Sequence, residues 1–231
     1  MKLLALDTSS LACSVALQLD GVVICRHEEQ AREHTRLLVP MIREVLAEGS
    51  VASAELDAIV LGNGPGSFIG MRIATSVAQG LAHGAGIGIV PVSSMLAVAA
   101  EVVETEGAAA VAVCQDAHMD EVYLGLYSAG SEAVPELLGA ERLHDQSVIS
   151  ELQLESGRFT AAGFGWQRYP KLLEANRALL AAVSSCSHPN ARYLLAAGAR
   201  LAESGAAIDP QDVVPAYLRQ TVAQPARPRG S

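Results

Sequence analysis

The sequence predicts an α/β protein built as two duplicated lobes, each a mixed sheet flanked by helices. Three observations predict it. The hydrophobic period switches twice, in the same order, between strand-like alternation and the three-to-four spacing of helices. An aspartate, Asp7 in the first half and Asp116 in the second, ends the opening apolar run of each half, 109 residues apart. The composition, 50% hydrophobic and 18% charged over 231 residues, is that of a chain able to bury a core without disulfide or metal staples. With only 4% aromatic residues, that core must be filled by Ala, Val, Leu and Ile.

Residues 3–6 form a short apolar run before the polar turn 7–10. Residues 13–19 alternate as a strand, Asp20-Gly21 supplies a hairpin turn, and 22–26 returns. From 34 to 48 the period becomes helical, and Pro40 falls in the first turns, where it is tolerated. Residues 58–61 read as a buried strand that enters a glycine-rich loop, followed by a helix over 70–83, a strand over 87–90 and a helix from 93 or 94 to about 104. No Asp, Glu, Lys or Arg occurs between 73 and 100, yet Gln79, His83, Pro91 and Gly84, Gly86 and Gly88 break that stretch into soluble elements, so no membrane span is expected. The second half predicts strands at 110–114, 121–127, within 135–143 and at 159–162. It predicts helices at 147–152, about 169–182 and 190–204. The expected organisation is a first lobe over 1–104, a second over 105–220 and a disordered Pro- and Arg-containing tail over 221–231.

The formal charge is −9, with 16 Lys and Arg against 25 Asp and Glu, and only Lys2 and Lys171 are lysines. Nucleic-acid binding draws on phosphate neutralisation, so this chain alone is a poor candidate for gripping RNA or DNA. Cys13, Cys25, Cys114 and Cys186 form no C-x-x-C pair and read as small apolar fillers in a reducing compartment. The start, Met-Lys and then a strand, is not a secretory leader, and a cytoplasmic protein is expected.

A duplicated lobe with a strand-end acid in each half resembles the actin-like architecture of sugar kinases and chaperone ATPases. There, turn amides and carboxylates hold the phosphates and Mg²⁺ of a nucleotide. Candidates for such a site are Asp7, Thr8 and Ser9, with Gly64, Gly66 and Ser67. The other reading of Asp7 is an Asx-turn that closes its strand. The stretch Gly64-Pro65-Gly66-Ser67-Phe68-Ile69-Gly70-Met71-Arg72 places three glycines before a helix, which suits either an anion seat or a loop that needs glycine. It is neither a P-loop nor G-x-G-x-x-G. No G-x-S-x-G elbow and no H-E-x-x-H occurs, and His27, His34, His83, His118, His144 and His188 are singletons. The adjacent acids Glu28-Glu29 and Asp120-Glu121 read as solvated faces. No catalytic residue and no metal ligand set is assigned.

The same glycine stretch resembles the G-P-G-S-F-T-G-x-R segment of the TsaB (YeaZ) family, bacterial partners in tRNA threonylcarbamoyladenosine synthesis. Four further groups of residues agree with that family: Leu4–Ser9 with Cys13–Leu17; Glu33-His34-Thr35 with 38–42; 116–123; and Gly163-Phe164-Gly165-Trp166 with Tyr169-Pro170. Pro215-Ala216-Tyr217-Leu218-Arg219 completes the set. Ile69 stands where the family usually has Thr, and His118 where it often has Arg. The resemblance implies a non-catalytic partner of TsaD, which transfers the threonylcarbamoyl group to the adenosine beside the anticodon of tRNAs reading codons that begin with A, with TsaE joining. It also implies a homodimer in isolation, contact with tRNA only indirectly through the complex, and ATP or ADP with Mg at the junction with TsaD. The catalytic paralogue carries H-x-x-x-H on a helix; the corresponding residues here, 92–98, contain no ligand. The alternative is an independent nucleotide-binding transferase or kinase, or a glycoprotease-like metallopeptidase of the same fold.

Two helical stripes are wider than packing on one sheet requires. His34, Leu37, Leu38, Met41, Ile42 and Val45 form the first; Met71, Ile73, Ala74, Val77 and Ala78 form the second. The surplus is expected to be a helix–helix partner interface, with small residues that permit close approach.

Overall fold

The computed structural model describes residues 1–29, 33–130, 134–153 and 158–219; the expected tail over 221–231 lies outside the described residues. The first sheet has the order β3-β2-β1-β4-β5, formed by β1 (Lys2–Asp7), β2 (Cys13–Leu19), β3 (Val22–Glu28), β4 (Ala58–Gly62) and β5 (Gly88–Val92). β1 is central and almost wholly buried, which its unbroken apolar run allows. It pairs antiparallel with β2 and parallel with β4. Asp20 and Gly21 both adopt positive φ, 46° and 94°, the twist-matched turn of a two-residue hairpin.

Helices α1 (His34–Glu48) and α2 (Phe68–Ala85) cover one face of this sheet with Leu38, Ile42, Val45, Ala74 and Ala78. The other face takes Leu194 and Leu195 from the start of the last helix. In that helix Gly198 lies so close to Val60 that a Cβ there would stand 2.4 Å from Val60 Cγ2. The second sheet repeats the order with β6 (Ala110–Asp116), β7 (Val122–Ser128), β8 (Glu136–Leu137), β9 (Arg142–His144), β10 (Phe159–Ala162) and β11 (Leu180–Val183). Its order is β11-β10-β6-β7-β8, with β9 also on β7. β6 is antiparallel to β7 and parallel to β10, the relations that β1 has to β2 and β4. The duplicated actin-like α/β fold is therefore present.

Helix α3 (Ser94–Glu106) joins the lobes, its Met95, Val98 and Val102 packing with Val111, Val113 and Tyr127. Ser93 caps it by accepting from the amides of Met95 and Leu96. In the second lobe α4 (Phe164–Arg168) buries Trp166, whose Nε1 donates to Ala112 O at 2.9 Å.

Several second-half elements differ from the sequence expectation. The helix expected over 147–152 is a single 3₁₀ turn, Ser150–Gln153. The helix expected over 169–182 stops early: α5 (Pro170–Asn176) gives way to a short 3₁₀ turn and then to β11, an edge strand with exposed alanines that alternation does not reveal. The last helix, α6, covers only Leu195–Glu203. The strand expected within 135–143 is split into β8 and β9. Among the described residues no helix is long and apolar enough to cross a membrane. The uncharged stretch 73–100 is α2, β5 and part of α3, interrupted by Gly86 in the left-handed conformation.

Candidate functional site

The six residues predicted for a nucleotide meet at the end of β1. Asp7 is fully buried. Its Oδ1 accepts from the amide and the hydroxyl of Ser9, each at 2.8 Å, and its Oδ2 accepts from Ser94 Oγ at 2.6 Å. Ser94 Oγ in turn accepts from the Gly64 amide at 3.0 Å, and the Ser94 amide donates to Gly64 O at 2.9 Å. Burial pushes the Asp7 carboxyl up to about 6 from an ordinary 3.8, although the bonds from Ser94 and Ser9 pull the other way.

The glycine loop is pressed against this turn. The Ser67 amide donates to Ser9 O at 2.6 Å, and Thr8 Oγ1 donates to Gly70 O at 2.7 Å. A Cβ on Gly66 would stand 2.1 Å from Ser9 O, and one on Gly70 1.9 Å from Thr8 O. A Cβ on Gly62 would stand 2.0 Å from Asp7 Oδ2. These glycines permit backbone-to-backbone contact between two loops. Ser67 then starts α2 by accepting from the Gly70 amide.

These residues do not fit a magnesium nucleotide. Both oxygens of Asp7 are engaged within the chain, and the amides of Ser9, Gly64 and Ser67 already donate to Asp7 Oδ1, Ser94 Oγ and Ser9 O in that order. The neighbouring inter-lobe cleft, about 670 Å³, runs past Ser10, Thr35, Ile69, Gln115, Asp116 and Phe164, and no Lys or Arg among the described residues lines it. Asp116, the second strand-end acid, is tied in the same way: its Oδ1 accepts from the Tyr169 hydroxyl at 2.7 Å and the His118 amide at 2.8 Å. Burial and this carboxylate push the Tyr169 phenol up to about 12. Among the described residues no three His, Cys, Asp or Glu side chains are placed to hold a metal ion. The four cysteines are free thiols.

The expected interface divides into two sets. Leu38, Met41, Ile42 and Val45 of α1, and Met71, Ala74 and Ala78 of α2, are buried in this chain, so as they stand they are core and not docking surface. The reason is close packing: α1 and α2 lie side by side on the sheet and spend these side chains on it and on each other. His34 is buried as well, its Nε2 at 2.9 Å from Ser10 O. Leu37, Ile73 and Val77 remain half-buried. Beside them Val39, Phe68 and Ile69 are exposed, Ile69 by 70%. These three were missed because they precede or flank the helical stripe. A groove of about 410 Å³ runs between the helices along Thr35, Val39, Ile69, Ile73 and Val77.

The sequence also gave no hint that two of its distinctive segments meet. The Arg72 guanidinium lies 3.8 Å over the Phe68 ring, and Arg72 Nε donates to Tyr217 Oη at 3.0 Å. Arg219, two residues on, pairs with Glu121 at 2.6 Å and donates to Ala117 O at 3.0 Å. The 215–219 segment thus straps the start of α2 to the second lobe.

This geometry defines the class: a duplicated, actin-like α/β protein whose phosphate-type turns are knitted shut and whose exposed apolar face lies on two helices of the first lobe. A family model described as "TsaD: tRNA N6-adenosine threonylcarbamoyltransferase" matches residues 26–227. The chain is 33% identical to the tRNA threonylcarbamoyladenosine biosynthesis protein TsaB of Escherichia coli over 96% of both chains. It is 35% identical to the protein of that name from Haemophilus influenzae, over 96% of this chain and 95% of the relative. A solved structure titled "YeaZ from Pseudomonas aeruginosa" superposes with a TM-score of 0.85 at 33% identity, covering 94% of this chain and 99% of that one. The chain belongs to the TsaB (YeaZ) family.

Proposed function

We propose that this chain acts in tRNA threonylcarbamoyladenosine biosynthesis as a non-catalytic partner of TsaD, with TsaE joining the assembly. The observation that carries this is the combination found at the first lobe: an apolar groove on α1 and α2 left open, next to a turn in which both Asp7 oxygens and the amide and hydroxyl of Ser9 are spent internally. A surface that presents Ile69, Val39 and Phe68 to water is suited to burial against another protein. A second copy of the chain would cover the same face in isolation, giving way to TsaD in the complex. Docking there would hold TsaD in its working geometry, since the contribution of a subunit without reacting groups is positional. The tRNA is brought by the complex, because a body of net charge −9 attracts little polyanion by itself. ATP or ADP with Mg, if the assembly takes it, is held chiefly by groups outside the Asp7 turn.

Purified TsaD and TsaE with tRNA and threonylcarbamoyl-adenylate, with and without this chain, test the proposal. Modification that depends on the chain is expected. Equal modification when it is omitted, or turnover by the chain alone that a chelator abolishes, would contradict it. The second outcome would favour the independent transferase or metallopeptidase alternative.

A further inference from the structure

Among the described cations Lys2, Arg26, Arg36, Arg142, Arg192 and Arg219 each lie within 4 Å of a carboxylate. Of the second-lobe cations without such a partner, which include Arg158 and Arg177, two share one surface. Arg168, at the end of α4, and Lys171, in the first turn of α5, have no carboxylate partner among the described residues. Both line one surface concavity of about 600 Å³. Pro170 breaks the chain between the two short helices, and Tyr169, anchored below by its bond to Asp116, fixes that corner. The opposite wall is the turn 118–120, in which His118, Met119 and Asp120 have φ of 60°, 55° and 62°. Three successive non-glycine residues in the left-handed region are costly, and such strain gathers at sites of function. Within the chain this turn satisfies His118 N through Asp116 Oδ1, whereas the amides of Met119 and Asp120 find no acceptor among the described residues. Gln146 lies on the rim, donating to Asp120. Asp120 is the one carboxylate lining the concavity, which it shares with Arg168, Lys171 and His118, whose exposed imidazole lies 3.3 Å from Asp116 Oδ2 through Nδ1.

We infer that this pocket is an oxyanion site, and that its ligand is a phosphodiester of an RNA backbone bound in the assembled complex. A guanidinium and an ammonium with no carboxylate within 4 Å, lining the same concavity as a turn with two unpaired amides, match the donor set of a phosphate. The pocket lies outside the inter-lobe cleft and shares only His118 with it. The anion site stands on its own charges and shape. The assignment to RNA rests on the proposed role in tRNA modification. It adds a local contact to a tRNA that other subunits hold, consistent with the acidity of the chain as a whole.

Two arms separate the sources of phosphate. In the first, inorganic phosphate is titrated into the isolated full-length chain while the His118 imidazole is followed by NMR. Saturable shifts are expected, and Arg168→Gln/Lys171→Gln should abolish them while leaving the thermal midpoint unchanged. Absence of saturable shifts in the parent chain overturns the pocket. In the second, labelled tRNA is bound to the TsaD-containing complex across a range of salt concentrations. The double substitution should lower the slope of log affinity against log salt by about 1 to 2, near 0.9 per lost phosphate contact. Arg158→Gln, in the same lobe but away from the pocket, should leave it unchanged. Phosphate shifts in the first arm with an unaltered tRNA slope in the second overturn the RNA assignment and point to a free phosphorylated metabolite. Failure of the chain to support modification would overturn the proposed function without touching the first arm.

Discussion

Replacing Asp7 by Asn tests whether the β1 turn is a buried internal clasp. In the folded chain the carboxyl titrates near 6, against 3.8 when unperturbed, with burial the largest cause. The folded state therefore holds this proton more tightly than the unfolded state does. Its contribution favours folding at low pH and is lost as pH rises from about 4 through about 6. At about 1.4 kcal/mol for each tenfold change in proton affinity, ionised Asp7 costs the fold on the order of 3 kcal/mol at pH 7 relative to pH 4. Asparagine keeps the shape, and its Oδ1 still accepts from both Ser9 donors while its amide faces Ser94 Oγ. Urea unfolding of the two proteins at pH 4.5 and 7.5 isolates the group, since every other titration is common to both. Asp7→Asn should gain stability on the parent between the two pH values by an amount on the order of 2 to 3 kcal/mol. Parallel pH profiles would refute the reasoning, showing that in solution the carboxylate is met by a cation or by water.

Gly70→Ala places a methyl 1.9 Å from Thr8 O and should cost about 1 to 3 kcal/mol, read as a lowered thermal midpoint, whereas Gly80→Ala, with open space around it, should stabilise α2 by about 0.5 to 1 kcal/mol. Ile69→Asp, at an exposed position, should leave the thermal midpoint in place and weaken binding to TsaD by about tenfold or more in a titration, the cost of losing one apolar anchor. Met41→Glu behaves oppositely, because a 5% exposed side chain in the core cannot accept a charge: circular dichroism should report loss of folding, and a folded, pairing-deficient protein would move Met41 back to the surface. Trp166→Phe removes the bond to Ala112 O and should cost about 1 kcal/mol or somewhat more in urea unfolding.

The parts of the fold written locally were legible in the sequence. The Asp20-Gly21 hairpin, the helix from His34 to Glu48 and the paired positions of Asp7 and Asp116 all depend on residues within a turn or two of each other. β11 was not legible, because Ala181, Ala182 and Val183 sit on an exposed edge and their pattern fits a helix as well as a strand. At the site, the sequence named the residues that converge, Asp7 to Ser9 and Gly64 to Ser67, but not the sense of their convergence. Glycines that expose amides to an anion and glycines that let two backbones touch read the same until Ser9 O and Thr8 O are placed beside them. The helical stripes were over-read for a related reason: periodicity marks which positions are apolar, and only packing shows that Met41, Val45 and Ala74 are used up inside. The meeting of Arg168 and Lys171 with His118 was not legible, because it depends on how α4, α5 and the turn after β6 are folded together.

Hydrogen–deuterium exchange on the intact chain, alone and with TsaD, examines the docking face most directly. Slowed exchange confined to residues 34–39 and 68–77 on addition of TsaD is the expected result, with residues 7–9 and 64–67 unaffected by Mg-ATP added to the isolated chain. Unchanged exchange over both helices, together with nucleotide-dependent protection of the Asp7 turn, would contradict the account and return the chain to the nucleotide-binding members of its fold.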